Sequence, residues 1–156
     1  MTIDNLNVVK SFYNEVENKK DPNAASKFWI DDLKWHGCVN SPIFPGYFEG
    51  IDNLKHALDI YFEAVDPDAQ VVQSIVSGDD RVAVRLRVTA KHTGNLLGCP
   101  ATGKDAVFTA AGSFVIKNGK IIEEWIIADF LGMALQFGFE LRLPGGQPAK
   151  LNQELI

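Results

Sequence analysis

The sequence has little of what marks several large classes of protein. Its 156 residues include two cysteines, Cys38 and Cys99, and no C-x-x-C pair or spaced Cys/His cluster, so no structural zinc site is predicted. No apolar run approaches the ~20 residues of a membrane-spanning helix, and the first residues lack the pattern of a signal peptide. We therefore expect a cytoplasmic protein with reduced thiols, while a Cys38–Cys99 disulfide stays open.

Basic residues are too few and too scattered for a nucleic-acid partner. The chain has 15 Lys and Arg against 20 Asp and Glu, a net charge of −5, and its only adjacent basic pair, Lys19 and Lys20, lies among acidic residues. Repeats, linkers and low-complexity segments are also absent from the sequence. We expect a single domain over 1–156, with a core of about 5–138 and a tail over 139–156, and neither nucleic acid nor membrane as a partner.

The spacing of apolar residues changes along the chain from helical to alternating. Helical spacing predicts helices over 4–20, with Asp4 as N-cap, and over 51–65, and Asp21-Pro22 predicts a short helix between them. Strands are predicted over 31–39, 69–77, 81–92, 105–116 and 121–129, and the apolar tail over 130–143 is compatible with a helix. This order predicts an α+β domain in which helices pack on a strongly curved, mainly antiparallel sheet and enclose a pocket, as in a cone.

Residues 98–105, Gly-Cys-Pro-Ala-Thr-Gly-Lys-Asp, match most of the phosphate-loop pattern G-x-x-x-x-G-K-[ST]. That loop needs a helix after it and a hydroxyl after the lysine to hold Mg²⁺. Here Asp105 follows Lys104, a strand pattern comes next, and Pro100 lacks an N–H that could bind phosphate. We therefore interpret the segment as a connection between two antiparallel strands.

Motifs along most of the chain resemble those of one known family. In chain order they are Phe12-Tyr13, His36, Pro45-Gly46, Glu49-Gly50, His92-Thr93-Gly94, the loop Gly98–Lys104, Gly119-Lys120, and Glu123, Trp125 and Asp129. Over about 5–138 this pattern resembles the SnoaL-like polyketide cyclases, a family of the nuclear transport factor 2-like superfamily. The resemblance implies the same cone-shaped α+β fold.

Asp129, at the end of the last predicted strand, is the main candidate for chemistry. Alternation places Asp129 on the same strand face as Trp125 and Ile127, and Glu124 on the opposite face. A carboxyl in such apolar surroundings should have a raised pKa and could take a proton next to a carbonyl. From the residues alone, Asp129 could equally be the N-cap of a following helix.

The family resemblance implies more specific roles. Asp129 would be the general acid/base of an intramolecular aldol condensation that needs neither metal nor cofactor. His92 and His36, which could otherwise be structural, would point toward the pocket and orient Asp129 or donate to an enolate oxygen. The substrate would be a hydrophobic, polyketide-like carbonyl compound of secondary metabolism. Its expected contacts are Trp125, Trp35, Arg85, Phe44, Tyr47, Phe62 and Tyr13, and a homodimer or higher homo-oligomer is expected.

Two other functions stay open. The fold also serves isomerases and epoxide hydrolases, and Asp129, Arg85 and Glu123 could almost supply the carboxylate–Arg–carboxylate set of a hydrolase. Alternatively, the cone could bind a small ligand or mediate dimerisation without catalysis. The direction of Asp129 separates these functions: a carboxylate in a closed pocket favours an enzyme, and a helix cap at the surface favours binding.

Overall fold

A computed structural model describes residues 2–39, 41 and 43–149. The elements in chain order are α1 (Thr2–Phe12), a π-helical turn (Tyr13–Glu17), a 3₁₀ helix (Pro22–Lys27), β1 (Trp29–His36), β2 (Tyr47–Glu49), α2 (Ile51–Ala64), β3 (Val65–Ser77), β4 (Arg81–His92), β5 (Asp105–Lys117), β6 (Lys120–Ala128) and α3 (Phe130–Phe137). None of the helices in these ranges is long and apolar enough to cross a membrane.

The six strands form one curved sheet in the order β2-β1-β6-β5-β4-β3, whose two edges do not close on each other. All neighbouring strands are antiparallel except β1 and β6, which run parallel. Register shifts between Val71 and Gln73 and between Val115 and Ile116 mark irregularities that increase local twist and bending. The predicted α+β class is confirmed, and the sheet is mixed.

The core lies between the inner face of the sheet and the helices. Val82, Val84, Leu86 and Val88 of β4 point inward and are buried, as their alternation predicts. From the helical side, Phe12 packs edge-on against the buried Trp29, with ring centroids 5.6 Å apart. The opposite side of β4 carries its arginines, so the sheet has one covered and one open face.

Local sequence signals account for several boundaries. The Asp21 carboxylate accepts hydrogen bonds from the N–H groups of Asn23 and Ala24, at 3.1 and 3.3 Å, as expected of an N-cap. Asn118 and Gly119 adopt positive φ values of 50° and 73°, which suit the tight hairpin between β5 and β6. The prediction of Asp4 as an N-cap is wrong, because α1 already begins at Thr2.

The segment 98–105 connects β4 to β5, as the sequence predicts. Leu96 and Cys99 form a short antiparallel bridge around Leu97 and Gly98, both at positive φ. The chain then enters β5 at Asp105, so a strand stands where a phosphate loop needs a helix. Cys38 and Cys99 are both free thiols.

Candidate active site

An apolar cavity lies between the inner face of the sheet and the helices. Together with its opening to solvent, about 730 Å³ of space there is free of protein atoms. Its wall contains aromatic side chains from both layers: Phe12, Tyr13, Trp35, Phe44, Phe48, Tyr61, Phe108 and Phe130. Such a wall favours a flat, hydrophobic ligand.

Two carboxyl groups, Glu17 and Glu124, lie in this apolar wall. Glu124 is 3% exposed, and burial raises its pKa well above the ordinary value, with a further rise from the nearby Glu17. Interaction with the Trp35 side chain opposes part of this rise. Burial alone raises the pKa of Glu17 to about 7. The pair therefore combines a Glu124 whose burial favours the neutral form with a Glu17 that is close to its midpoint at neutral pH.

The π-helical turn after α1 positions Glu17. Asn18 N–H bonds to the carbonyl of Tyr13 at 2.9 Å, the five-residue spacing of a π turn, and this turn carries Tyr13 and Glu17 to the cavity together. The Asn18 side chain fixes the end of the turn through two bonds to the backbone of Ala69 on β3, at 2.7 and 3.0 Å. Single π turns occur often at functional sites.

Two tyrosines, Tyr13 and Tyr61, add hydroxyl groups to the wall. Burial, followed by the charges of Glu124 and Glu17, raises the pKa of Tyr13, and burial followed by Glu17 raises the pKa of Tyr61. Both hydroxyls therefore stay protonated and can donate. Within the described residues, the buried hydroxyl of Tyr13 has no hydrogen-bond partner. An unpaired buried hydroxyl is costly, so the cavity offers a donor that a polar ligand atom or a water would satisfy.

The expected position of Asp129 inside the pocket is wrong. Asp129 is exposed and is the N-cap of α3, where its Oδ1 accepts the N–H of Gly132 at 2.8 Å. Trp125 and Ile127, on the same face of β6, are 39% and 70% exposed. The strand alternation is as predicted, but the face that carries Asp129 is the outer face of the sheet, and Glu124 occupies the inner one.

His92 is fully buried but does not line the cavity. Nδ1 of His92 accepts the backbone N–H of Thr102 at 3.2 Å and lies 3.0 Å from the Thr102 hydroxyl oxygen, while the buried Nε2 has no hydrogen-bond partner among the described residues. The ring stacks on Phe137 at 5.0 Å. His92 therefore anchors the 93–104 connection to α3, and the expectation that it points toward the pocket is wrong.

His36 is also outside the cavity. Its Nε2 lies 2.8 Å from Oε1 of Glu123, and its ring stacks on Trp125 with centroids 4.8 Å apart. Arg85 is on the same outer face, where its Nε donates to Gln73 at 3.3 Å. Asp129, Arg85 and Glu123 thus belong to the open face of the sheet and supply no hydrolase set in the pocket.

Only some of the predicted substrate contacts lie in the cavity wall. Tyr13, Trp35 and Phe44 lie in the cavity wall. The others lie elsewhere: Trp125 and Arg85 are on the outer face, Tyr47 is exposed and bonds to Glu49, and Phe62 packs beside Tyr61 outside the wall. The part of the chain that the structure describes contains no group of three or more His, Cys, Asp or Glu side chains suited to a metal ion.

Sequence reasoning missed both Glu17 and Glu124. The signal for Glu124 was its alternation with Ile126 and Ala128, which makes it the single acid on a strand face that is otherwise apolar. The signal for Glu17 was its spacing from Tyr13 on the helix whose apolar side carries Val9 and Val16. An acid placed on an apolar face is the pattern of a buried titratable group.

Most of the chain matches the model of a known family. The SnoaL-like polyketide cyclase family model matches residues 7–137, so the chain is a member of that family. A search of curated proteins finds no match.

Solved structures share the fold at low sequence identity. IdmH from Streptomyces antibioticus, named as a candidate polyketide cyclase, is 22% identical with a TM-score of 0.73, and the match covers 86% of this chain and 99% of that one. A candidate SnoaL-like polyketide cyclase from Jannaschia sp. CCS1 is 20% identical with a TM-score of 0.75, covering 88% and 94%. An LEH-like epoxide hydrolase from M. tuberculosis is 15% identical with a TM-score of 0.66, covering 87% and 90%.

Proposed function

We propose that the protein is a cofactor-independent acid–base enzyme that closes a ring, by an aldol-type step, in a hydrophobic, polyketide-like carbonyl compound. The observation that carries the proposal is the pair of carboxyls, Glu17 and Glu124, in the wall of an apolar cavity. Membership in the cyclase family supports the same class of reaction.

The two carboxyls have different roles in this proposal. Glu17, with a pKa of about 7, is the general base that removes a proton α to a carbonyl. Burial raises the pKa of Glu124 and favours its protonated form, which donates to the carbonyl oxygen and stabilises the enolate as negative charge develops. Tyr13, with an unpaired hydroxyl among the described residues, is a second donor to that oxygen.

The aromatic wall supplies the remaining contribution. Ring closure requires the two reacting carbons of one flexible molecule to be held together, and a close-fitting cavity provides this proximity. Trp35, Phe44 and Phe108 give flat apolar surfaces against which a chain of fused or nascent rings can fold. The same surfaces exclude water, which would otherwise protonate the enolate.

Asp129 is the alternative to Glu17 and Glu124 as the acid–base residue of the same reaction. Its position as a helix cap at the surface favours a structural role, and by the criterion of its direction alone the chain would be a binding protein. The carboxyls of Glu17 and Glu124 support an enzyme independently of Asp129.

The test compares carboxyls on opposite faces of the same elements. Purified variants are assayed for deuterium exchange at the carbon α to the carbonyl of polycyclic aryl ketones in D₂O, by NMR, and for cyclisation of aryl polyketone esters by mass spectrometry. Glu124→Gln and Glu17→Gln are expected to lower the rate about 10²–10⁴-fold. Glu123→Gln and Glu15→Gln are their neighbours outside the cavity wall and should retain it.

Binding of 2-naphthol, followed by its fluorescence, separates the alternatives. An enzyme that stabilises an enolate should bind this hydroxyaromatic compound less tightly after Glu124→Gln. Binding without turnover of any ketone would indicate a ligand-binding module. Loss of turnover in Asp129→Asn, with retention in both cavity variants, would assign the acid–base role to Asp129.

A further inference from the structure

The wall of the cavity contains acidic groups and, among the described residues, no basic one. Its two carboxyls belong to Glu17 and Glu124, and the side chains around them include no lysine, arginine or histidine. The ion pairs found in the described part of the chain involve neither carboxyl. A carboxylate that ionises in this wall therefore has no cation beside it, and an unpaired charge in apolar surroundings is unfavourable.

Glu17 is the carboxyl that ionises just above neutral pH. Burial raises its pKa to about 7, whereas burial of Glu124 favours the neutral acid. The other titratable side chains of the described wall are Tyr13, Tyr61 and Cys38, none of which can carry a positive charge. At pH 8 an ionised Glu17 therefore makes the interior of the cavity negative.

Aromatic rings lie beside both carboxyls. The ring of Phe44 contacts those of Tyr61 and Trp35, with centroids 5.3 and 5.6 Å apart. Tyr61 is close enough to Glu17 for the carboxylate to raise the pKa of its hydroxyl, and Trp35 interacts with Glu124. The face of an aromatic ring attracts a cation, most strongly where water is excluded. The wall therefore combines a carboxylate with the surfaces that favour an organic cation.

The hydroxyl of Tyr13 is an independent sign of a polar ligand in the cavity. Tyr13 is 2% exposed, and among the described residues its buried hydroxyl has no hydrogen-bond partner. After burial, the charges of Glu124 and Glu17 raise its pKa, so the hydroxyl lies near both carboxyls and stays protonated. Its oxygen can still accept a hydrogen bond from an ammonium N–H. A ligand with such a group would satisfy the hydroxyl and pair the carboxylate together.

We propose that the cavity binds hydrophobic organic cations, namely primary amines that carry one or two aromatic rings. The ammonium group donates to the Glu17 carboxylate and to the Tyr13 hydroxyl, and the rings of the ligand pack against Phe44 and Trp35. An anionic ligand is rejected, because no cation in the described wall offsets a second negative charge. Bound amines fill the space of the proposed carbonyl substrate and therefore compete with it.

Three ligands of similar size and different charge test the proposal. They are 2-(2-naphthyl)ethylamine, which like a lysine side chain is protonated at pH 8, the uncharged 2-(2-naphthyl)ethanol, and the anionic 2-naphthylacetate. In isothermal titration calorimetry at pH 8, the wild-type protein should bind the amine about tenfold more tightly than the alcohol, and the anion most weakly. Equal affinity for the amine and the alcohol would overturn the proposal.

Glu17→Gln tests the charge, and Glu15→Gln in the same turn is its control. Glutamine keeps the size of the side chain without the charge, so Glu17→Gln should bind the amine and the alcohol with similar affinity. Glu15 lies outside the wall and bonds to Lys27 at 3.3 Å, so Glu15→Gln should keep the preference for the amine. Unchanged binding of the alcohol shows that the cavity is intact. A Glu17→Gln variant that still prefers the amine would contradict the proposal.

The pH dependence of binding is a test that needs no variant. At pH 5 Glu17 is protonated in the free protein, so the advantage of the amine over the alcohol should be lost, while the affinity for the alcohol stays constant. An equal advantage at pH 5 and pH 8 would exclude Glu17 as the partner of the ammonium group.

These measurements detect binding and not turnover, so they are independent of the proposed reaction. A protein that binds the amine and exchanges no ketone would contradict the proposed function and support this inference. One that exchanges ketones and shows no preference for the amine would contradict this inference alone.

Discussion

The two faces of β6 contain nearly the same residue types in very different environments. On the inner face, Glu124 lies with Ile126 and Ala128 in the cavity wall, and burial raises its pKa. On the outer face, Glu123 keeps a side chain that is 26% exposed and bonds to His36. One step along the strand therefore separates a carboxyl suited to proton transfer from one that forms an ordinary surface contact. The difference arises from the curvature of the sheet and from the helices that cover only one side.

The largest effect expected from this comparison is in the pH dependence of turnover. Glu17, with a pKa of about 7, is active as a base only when ionised, so the rate should fall about tenfold for each pH unit below 7, or about a hundredfold at pH 5. Initial rates of deuterium exchange at the carbon α to the ketone, measured from pH 5 to 9, give this acidic part of the pH–rate profile. Glu15→Gln, in the same turn, should leave the profile unchanged. A rate that stays constant down to about pH 4 and falls only there would exclude Glu17 as the base.

The free energy of unfolding should also depend on the ionisation of Glu17, but it should decrease as pH rises. The folded state keeps the Glu17 proton up to about pH 7, whereas the unfolded chain loses it near the ordinary glutamate pKa of 4.5. The folded state therefore binds more protons over this range, and stability must decrease as pH rises through it. A pKa difference of one between the two states corresponds to about 1.4 kcal/mol in the free energy of unfolding. Because the folded protein can relax around the ionised carboxylate, the loss is smaller than the full pKa difference implies, and we expect about 2 kcal/mol between pH 4.5 and 7.

Urea unfolding at several pH values measures this loss. In Glu17→Gln the free energy of unfolding should depend less on pH, because an amide cannot ionise. Glu124→Gln should reduce the pH dependence as well, since burial also raises the pKa of Glu124. Glu123→Gln, on the outer face, provides the matched control. Stability that rises with pH over this range in wild type, and not in Glu17→Gln, would contradict the burial of Glu17.

How much could be predicted from the sequence depends on the range of the interactions concerned. Alternation in 81–92 and 121–129 depends on neighbouring residues, and it correctly gave the strands and the two faces of each. The parallel pairing of β1 with β6 depends on contacts between residues such as His36 and Trp125, far apart in the chain, so no local pattern reveals it. The three-residue strand β2 is likewise too short for a periodic signal.

The location of the site also depends on long-range packing that no local sequence pattern reveals. The pattern around Asp129 identified a strand with two faces, but which face encloses the cavity is decided by the direction of sheet curvature and by where α1 and α2 pack. A carboxyl beside Trp125 and Ile127 looked buried because large apolar residues usually are. Both are exposed here, and the smaller residues of the opposite face surround Glu124.

The smallest effect is expected at Asp129. As the N-cap of α3, its carboxylate bonds to the N–H of Gly132, and Asp129→Ala should lower the free energy of unfolding by about 1 kcal/mol. Asp129→Asn, which retains an acceptor, should lose less. Both variants should keep the activity that Glu124→Gln removes, because Asp129 lies outside the cavity. Urea unfolding and the ketone-exchange assay together separate a cap from a catalytic group: a variant of unchanged stability but abolished turnover would place the chemistry on the outer face of β6.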